Sequence, residues 1–478
     1  MAGNRPLWWW SLALGGGALA GVALPPLGWP PLLWLALVPL WSLGPAAAAL
    51  WAAAAVLVSH RWLLWLHPLD WVGVPGPLSL PLCGLLWLSC AALAAALVAG
   101  WRALVQRLGP ERLGTALLAA ALWGLGEVLL ARGPLFWIGL GVAALPGDRA
   151  LAGLAGWVGS GGLAALQLLI GWGLMRLLAL SRQRRRLPGR LAVLWLVLVL
   201  GLHGLGWQRL QAAEAPAGQG SWRSLLLLQP AIPTRRKFDW DQQQLLLRRL
   251  DGALGQAAAL RAEALVLPEG ALPLAQDLPQ PAPVELISGG FRQVGTQLRS
   301  ALLRFPPGAQ RPQDALDKHR LVPLGEWIPG SEWFAWAGLS AVGGVSPGGA
   351  IGAAICYELA DGTGLAAASR AGAGWLLASA NLDPYPLLLQ RQFTALAQLR
   401  ALESSRWLAS AANTGPTLVV DAAGRVRQRL APFSPGSLAV QLQPRRLVSG
   451  YSRWGELPLL ALAACGAVLL ARRMVRQS

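Results

Sequence analysis

Eight apolar runs along this chain approach or exceed the ~20 residues that a helix needs to cross a bilayer, and this repetition constrains the fold more than any other feature. Seven lie before residue 208, at 7–24, 30–44, 46–66, 78–100, 113–131, 151–178 and 190–207. The second and third are parted only by Gly44 and Pro45, and an eighth run occupies 457–471. Residues 208–454 between them have ordinary mixed composition and are enough for one large domain. The expected organisation is therefore a polytopic helical membrane domain at 1–207, an α/β insert at 208–454, and a last span with a basic tail at 455–478. A mean hydropathy of +0.47 with 13% charged residues excludes an ordinary soluble protein.

Charge then orients the spans. The formal net charge is +18, but the basic residues flank apolar runs, so bilayer topology explains them better than nucleic acid does. Arg5, the group Arg102, Arg107 and Arg112, the cluster Arg182, Arg184, Arg185, Arg186 and Arg190, and the tail Arg472, Arg473 and Arg476 fall on one side when eight spans alternate. Both termini are expected in the cytoplasm, with the insert on the opposite side, which is the periplasm in a cell of Gram-negative type. Only two of the 40 basic residues are lysines, Lys237 and Lys318, so each retained lysine needs a reason.

In the insert, short apolar runs such as 224–229, 264–268, 284–289, 352–357, 374–380, 407–412 and 417–420 read as buried strands. Helical patterns at 239–262 and 390–404 alternate with them, which predicts an α/β layered domain. Three segments place a reactive side chain at or near a strand end: Leu267-Pro268-Glu269, Asp317-Lys318 with Glu326 eight residues on, and Ile355-Cys356-Tyr357-Glu358. Alone, Cys356 reads as core and Lys318 as part of a basic run with His319 and Arg320. Together, a carboxylate base, an ammonium and a thiol make a complete set for acyl transfer. The ammonium and carboxylate are expected to activate the thiol. No ligand spacing for a metal and no cofactor motif is present.

These three segments, in this order, resemble the nitrilase superfamily, and with spans on both sides the whole chain is similar to its apolipoprotein N-acyltransferase family. The resemblance implies an αββα sandwich with Glu269 as general base, Lys318 as oxyanion stabiliser and Cys356 as nucleophile. It also implies that Glu326 orients Lys318 and that Tyr357 and Glu358 support the site. Gln229-Pro-Ala-Ile-Pro233 matches a family segment by which Phe238 replaces a tryptophan at the site rim. Residues 381–385 depart from the family pattern. Trp333 and Trp336 are expected to line a mobile lid, and Tyr385 belongs to an exposed-looking apolar cluster at 384–389. The implied partners are a phospholipid acyl donor and a diacylglyceryl-apolipoprotein acceptor, met by a monomer in the membrane. Rival readings are a membrane-anchored amidase acting on small amides, and a non-enzymatic transporter or scaffold.

Overall fold

The computed structural model describes residues 7–70, 73–185, 187–214, 222–237, 239–272, 277–322, 326 and 351–475. Its N-terminal part is built from helices α1 (Leu7–Ala23), α2 (Pro30–Ser42), α3 (Pro45–Ser59), α4 (Gly76–Leu108), α5 (Leu113–Arg132), the short α6 (Arg149–Ala152), α7 (Ala155–Arg184) and α8 (Gly189–Glu214). Among the described residues four of these, α4, α5, α7 and α8, are long and apolar enough to cross a membrane. The other apolar helices are shorter than the expected spans. The run at 46–66 breaks after Ser59 and finishes as a 3-10 turn, Arg61–Leu66, while the sixth run starts later than expected because Gly153 and Leu154 separate α6 from α7. A 13-residue helix such as α2 reaches only about 20 Å at 1.5 Å per residue.

Small residues let these helices touch backbone to backbone. A Cβ on Gly17 of α1 would lie 2.0 Å from the Trp51 carbonyl oxygen of α3. Gly124 of α5 and Gly161 of α7 face each other in the same way, with a Cβ on either meeting the other's carbonyl oxygen at 2.4 and 2.7 Å. By contrast, only 11% of the most apolar window of α8 is buried, and Val193, Leu194, Val197 and Leu200 are exposed. Such a continuous apolar face suits lipid and not water. Glu127 Oε1 accepts from Trp123 Nε1 at 2.7 Å and from the Leu140 amide at 2.8 Å, closing the loop after α5, and among the described residues it pairs with no arginine.

The insert is two packed sheets with helices outside them. One sheet runs β11-β1-β2-β3-β4-β5, from strands β1 (Arg223–Gln229), β2 (Ala264–Val266), β3 (Glu285–Val294), β4 (Gln297–Phe305), β5 (Asp314–Asp317) and β11 (Gly436–Leu442). The other runs β10-β9-β8-β7-β6, from β6 (Ile351–Ile355), β7 (Trp375–Ala380), β8 (Leu408–Ala412), β9 (Leu418–Val420) and β10 (Val426–Arg429). Side chains alternate across the first sheet as the period of two demands. Leu225, Leu227, Val266 and Ile287 join the core shared with the second sheet, while Leu226, Leu228, Leu265 and Leu286 pack beneath α9 (Trp240–Ala259). Strands β4 and β5 were not legible in advance. The pair Gly289-Gly290 weakens the strand signal of β3, and β5 exposes Asp314 and Ala315.

On the far face of the second sheet lie α10 (Gly362–Arg370) and α11 (Leu387–Ser404), followed by α12 (Gly450–Trp454) and α13 (Leu457–Val475). Helix α11 is buried nearly all round, including Gln392, Arg400 and Glu403. A helix hidden on every side must have cover on every side, and here α7 of the membrane domain supplies the second layer. Burying Leu389, Phe393, Leu396 and Leu399 contributes about 1.5–3 kcal/mol each. Hydrogen bonds cross the seam: Gln392 Nε2 donates to the Ser59 carbonyl at 2.9 Å, and Glu403 Oε1 accepts from the Ser160 amide at 2.7 Å.

Candidate active site

The parallel strands β2, β6 and β7 deliver Glu269, Cys356 and Asn381 at their carboxyl ends, where open α/β sheets present functional groups. Glu269 sits against Gly289 of β3, where any Cβ would lie 2.4 Å from the Glu269 Cα, so only glycine lets β3 run this close. Cys356 directly follows β6 with φ +51°, in the left-handed region that a non-glycine residue adopts only under constraint. Lys318 follows β5, and its amide donates to the Ser300 carbonyl of β4 at 2.8 Å.

Lys318 is fully buried, and its ammonium is held by two carboxylates. Nζ lies 2.6 Å from Glu269 Oε1 and 2.8 and 2.7 Å from the two oxygens of Glu326. Burial would lower this ammonium, but Glu269 and Glu326 outweigh it and hold Lys318 well above its ordinary value. Burial raises the Glu326 carboxyl, with Lys318 pulling against the shift and Glu269 adding to it. Glu326 also accepts from the Val322 amide at 2.9 Å, and the second oxygen of Glu269 accepts from the Asn381 amide at 3.0 Å.

The surroundings of the thiol bear on how it is activated. Burial pushes Cys356 well above its ordinary value, and the neighbouring Glu269 carboxylate pushes it further. Lys318 pulls the other way and loses, because its charge is already shared between two carboxylates. Cys356 therefore rests as a neutral thiol beside a base, not as a preformed thiolate.

Glu358 ties the loops of Cys356 and Lys318 together. Its Oε1 accepts from the His319 amide at 2.7 Å and the Arg320 amide at 3.2 Å, and its Oε2 from the Ile355 amide at 2.8 Å. Tyr357 is buried against Phe136 of the loop after α5, ring centroids 5.2 Å apart. Tyr385 is 8% exposed and stands edge-on to Trp62 at 5.4 Å, so the cluster at 384–389 is a wall at the seam with the membrane helices and not an exposed flap. Its apolar run was misread because its cover comes from a segment more than 300 residues earlier. Phe238, Trp333 and Trp336 lie outside the described residues.

A cavity of about 410 Å³ joins these groups, lined among others by Glu269, Glu326, Cys356, Tyr357, Asn381 and Tyr385. It also holds Thr234, Arg235 and Lys237, which no motif marked; the scarcity of lysine was the one available signal. Asn413 pins the floor, donating from Nδ2 to the Ile232 carbonyl at 2.7 Å and to Asn381 Oδ1 at 3.0 Å. Among the described residues no group of three or more His, Cys, Asp or Glu side chains is placed to hold a metal ion.

A buried thiol beside a carboxylate and an ammonium can carry an acyl group as a thioester. The carbon-nitrogen hydrolase family model matches residues 312–449. Over 464 residues the chain is 50% identical to an apolipoprotein N-acyltransferase of Prochlorococcus marinus (strain MIT 9313), covering 92% of each chain. It is also 50% identical over 437 residues to an apolipoprotein N-acyltransferase of Parasynechococcus marenigrum (strain WH8102), covering 87% of this chain and 91% of that one. A solved amidase of the nitrilase superfamily from Nesterenkonia is 18% identical and covers 51% of this chain and 98% of its own, with a TM-score of 0.38. With half its residues identical across nearly full-length alignments, the chain belongs to the apolipoprotein N-acyltransferase family.

Proposed function

We propose that this protein takes an acyl chain from a membrane phospholipid onto Cys356 and passes it to the α-amino group of the N-terminal diacylglyceryl-cysteine of a lipoprotein. The observation that carries this reading is the meeting of Glu269 and Cys356 on one cavity, with the Lys318 ammonium bonded to Glu269 behind the lining, while Tyr385 of the cavity wall packs on Trp62 of the N-terminal helical part. A water-soluble substrate needs no such wall, whereas both lipid substrates reach the cavity from the bilayer side. Eight spans, both termini in the cytoplasm and a monomeric chain with residues 208–454 on the periplasmic face complete the proposal.

In the first half-reaction the Cys356 thiol attacks the ester carbonyl carbon, and its proton passes to Glu269. Lys318 stabilises the charge that develops on the carbonyl oxygen. The sulfur–carbon bond stays, the carbon–oxygen bond to glycerol breaks, and Glu269 returns the proton to the glycerol oxygen, which leaves as lysophospholipid. In the second half the acceptor amine attacks the thioester carbon and gives its proton to Glu269, an amide forms, and the thiol leaves and is reprotonated. A neutral resting thiol fits this sequence, because proton removal is coupled to attack. Glu326 holds Lys318, and Glu358 holds the strand end before Cys356 against the residues after Lys318.

The test is the intact mass of purified protein and of Cys356→Ala after incubation with phospholipid vesicles. An acyl adduct only on the wild type, removed by hydroxylamine, is the expected result. Ammonia released from small amides with no adduct would replace this reading with the amidase one.

A further inference from the structure

The second lysine of this chain has a place in the same cavity. The 3-10 turn Thr234–Arg236 follows β1 and is held down by Asp383, whose Oδ2 accepts from the Thr234 amide at 2.6 Å. Lys237 leaves that turn toward Glu269. A Cβ on Gly270 would lie 2.6 Å from the Lys237 Nζ, and the ammonium stands 5.1 Å from the ring centroid of Phe291 on the cavity wall. Gly270, with φ +60°, thus leaves the space that this ammonium fills, one residue from the base.

Two cations therefore serve the cavity, and they are not equivalent. Lys318 is fully buried behind Glu269 and Glu326, with its charge shared between them. Lys237 is half-buried on the lining itself, with Arg235 two residues away. Arg235 reaches the membrane domain, donating to the Pro68 carbonyl at 3.2 Å. In a chain that uses arginine at nearly every other basic position, a lysine here supplies a compact point charge where the space is narrow. Burial lowers it to about 8 against the pull of Glu269 and Glu326, and an anion brought into the cavity would favour its charged form.

The acyl donor of the reading above brings such an anion, because its phosphodiester lies a few bonds from the ester that Cys356 attacks. We infer that Lys237 receives the phosphodiester of the acyl donor and so makes the site prefer phospholipids over uncharged glycerides. This inference rests on the acyl-transfer reading and adds to it a residue that sets donor specificity.

The experiment compares dioleoylphosphatidylglycerol with dioleoylglycerol, which carries the same acyl esters and no phosphate, in detergent micelles with the full chain. The rate of adduct formation on Cys356 is followed by intact mass. The expected result is a phospholipid preference in the wild type that falls about tenfold in Lys237→Met, the scale of one lost charge-assisted hydrogen bond. Lys237→Arg, which keeps the charge, recovers part of that preference. An equal fall with both donors would assign Lys237 to the architecture of the cavity and overturn the inference, as would an unchanged ratio. A wild type that forms no adduct with either donor removes the acyl-transfer reading itself.

Discussion

Replacing Glu358 by glutamine tests whether Cys356, the proposed nucleophile, is held in place by the clamp between its loop and that of Lys318. Glu358 is 5% exposed, and its two oxygens accept from the backbone amides of His319, Arg320 and Ile355. Glutamine keeps one oxygen. If that oxygen stays on His319 and Arg320, the new amide group points a donor at the Ile355 donor, and one charge-assisted bond next to Cys356 is lost. Losing such a bond and stranding a buried N–H costs about 2–3 kcal/mol. Because Ile355 immediately precedes a cysteine held at φ +51°, the cost falls on the strained conformation that aims the thiol. Expressed wholly in the transition state, it slows thioester formation by roughly 30- to 150-fold. The assay is the single-turnover rate of acyl adduct formation over a range of donor concentrations. The loss is expected in the limiting rate and not in the concentration for half-saturation, since Glu358 does not line the cavity. A limiting rate within twofold of the wild type, in protein that still unfolds cooperatively, would refute the clamp argument.

Stability against pH and one backbone contact supply the other checks. The raised values of Cys356 and Lys318 mean that the folded state holds protons that the unfolded chain releases at lower pH, so their contribution is full below the unfolded thiol value of about 8.5 and is lost as pH rises beyond it. Thermal unfolding midpoints are expected to fall above that pH, and Cys356→Ala to flatten the part of the fall that starts near 8.5; an unchanged slope would show that the thiol does not contribute. Gly289→Ala forces a Cβ to within 2.4 Å of the Glu269 Cα and Pro268 carbonyl oxygen, and overpacking of that kind costs about 1–3 kcal/mol. Both a lower unfolding midpoint and slower adduct formation are expected, because β3 can yield only by moving Glu269; a normal rate would mean that the base tolerates displacement.

Much of this protein is determined locally. Apolar runs of bilayer length, strands with a period of two, and reactive residues at or near strand ends are written in neighbouring residues, so Glu269, Lys318 and Cys356 could be named as one set before any contact was known, with Glu326 and Glu358 added by the family resemblance. What local pattern lacks is the partner. The Lys318 ammonium meets a carboxylate 49 positions away, and Glu403 meets an amide 243 positions away; no short window contains either pair. Burial is equally non-local: Tyr385 sits in an exposed-looking cluster until Trp62 covers it. The charge state of Cys356 followed the same rule. The residues name an ammonium and a carboxylate to activate the thiol, but only the tertiary structure shows that ammonium shared between two carboxylates, where burial raises the thiol above its ordinary value. Residue chemistry and spacing therefore decide which groups this chain can bring to a reaction, while the packing of two sheets against a set of membrane helices decides which charges meet, because electrostatic energies depend on distance and desolvation and not on order along the chain.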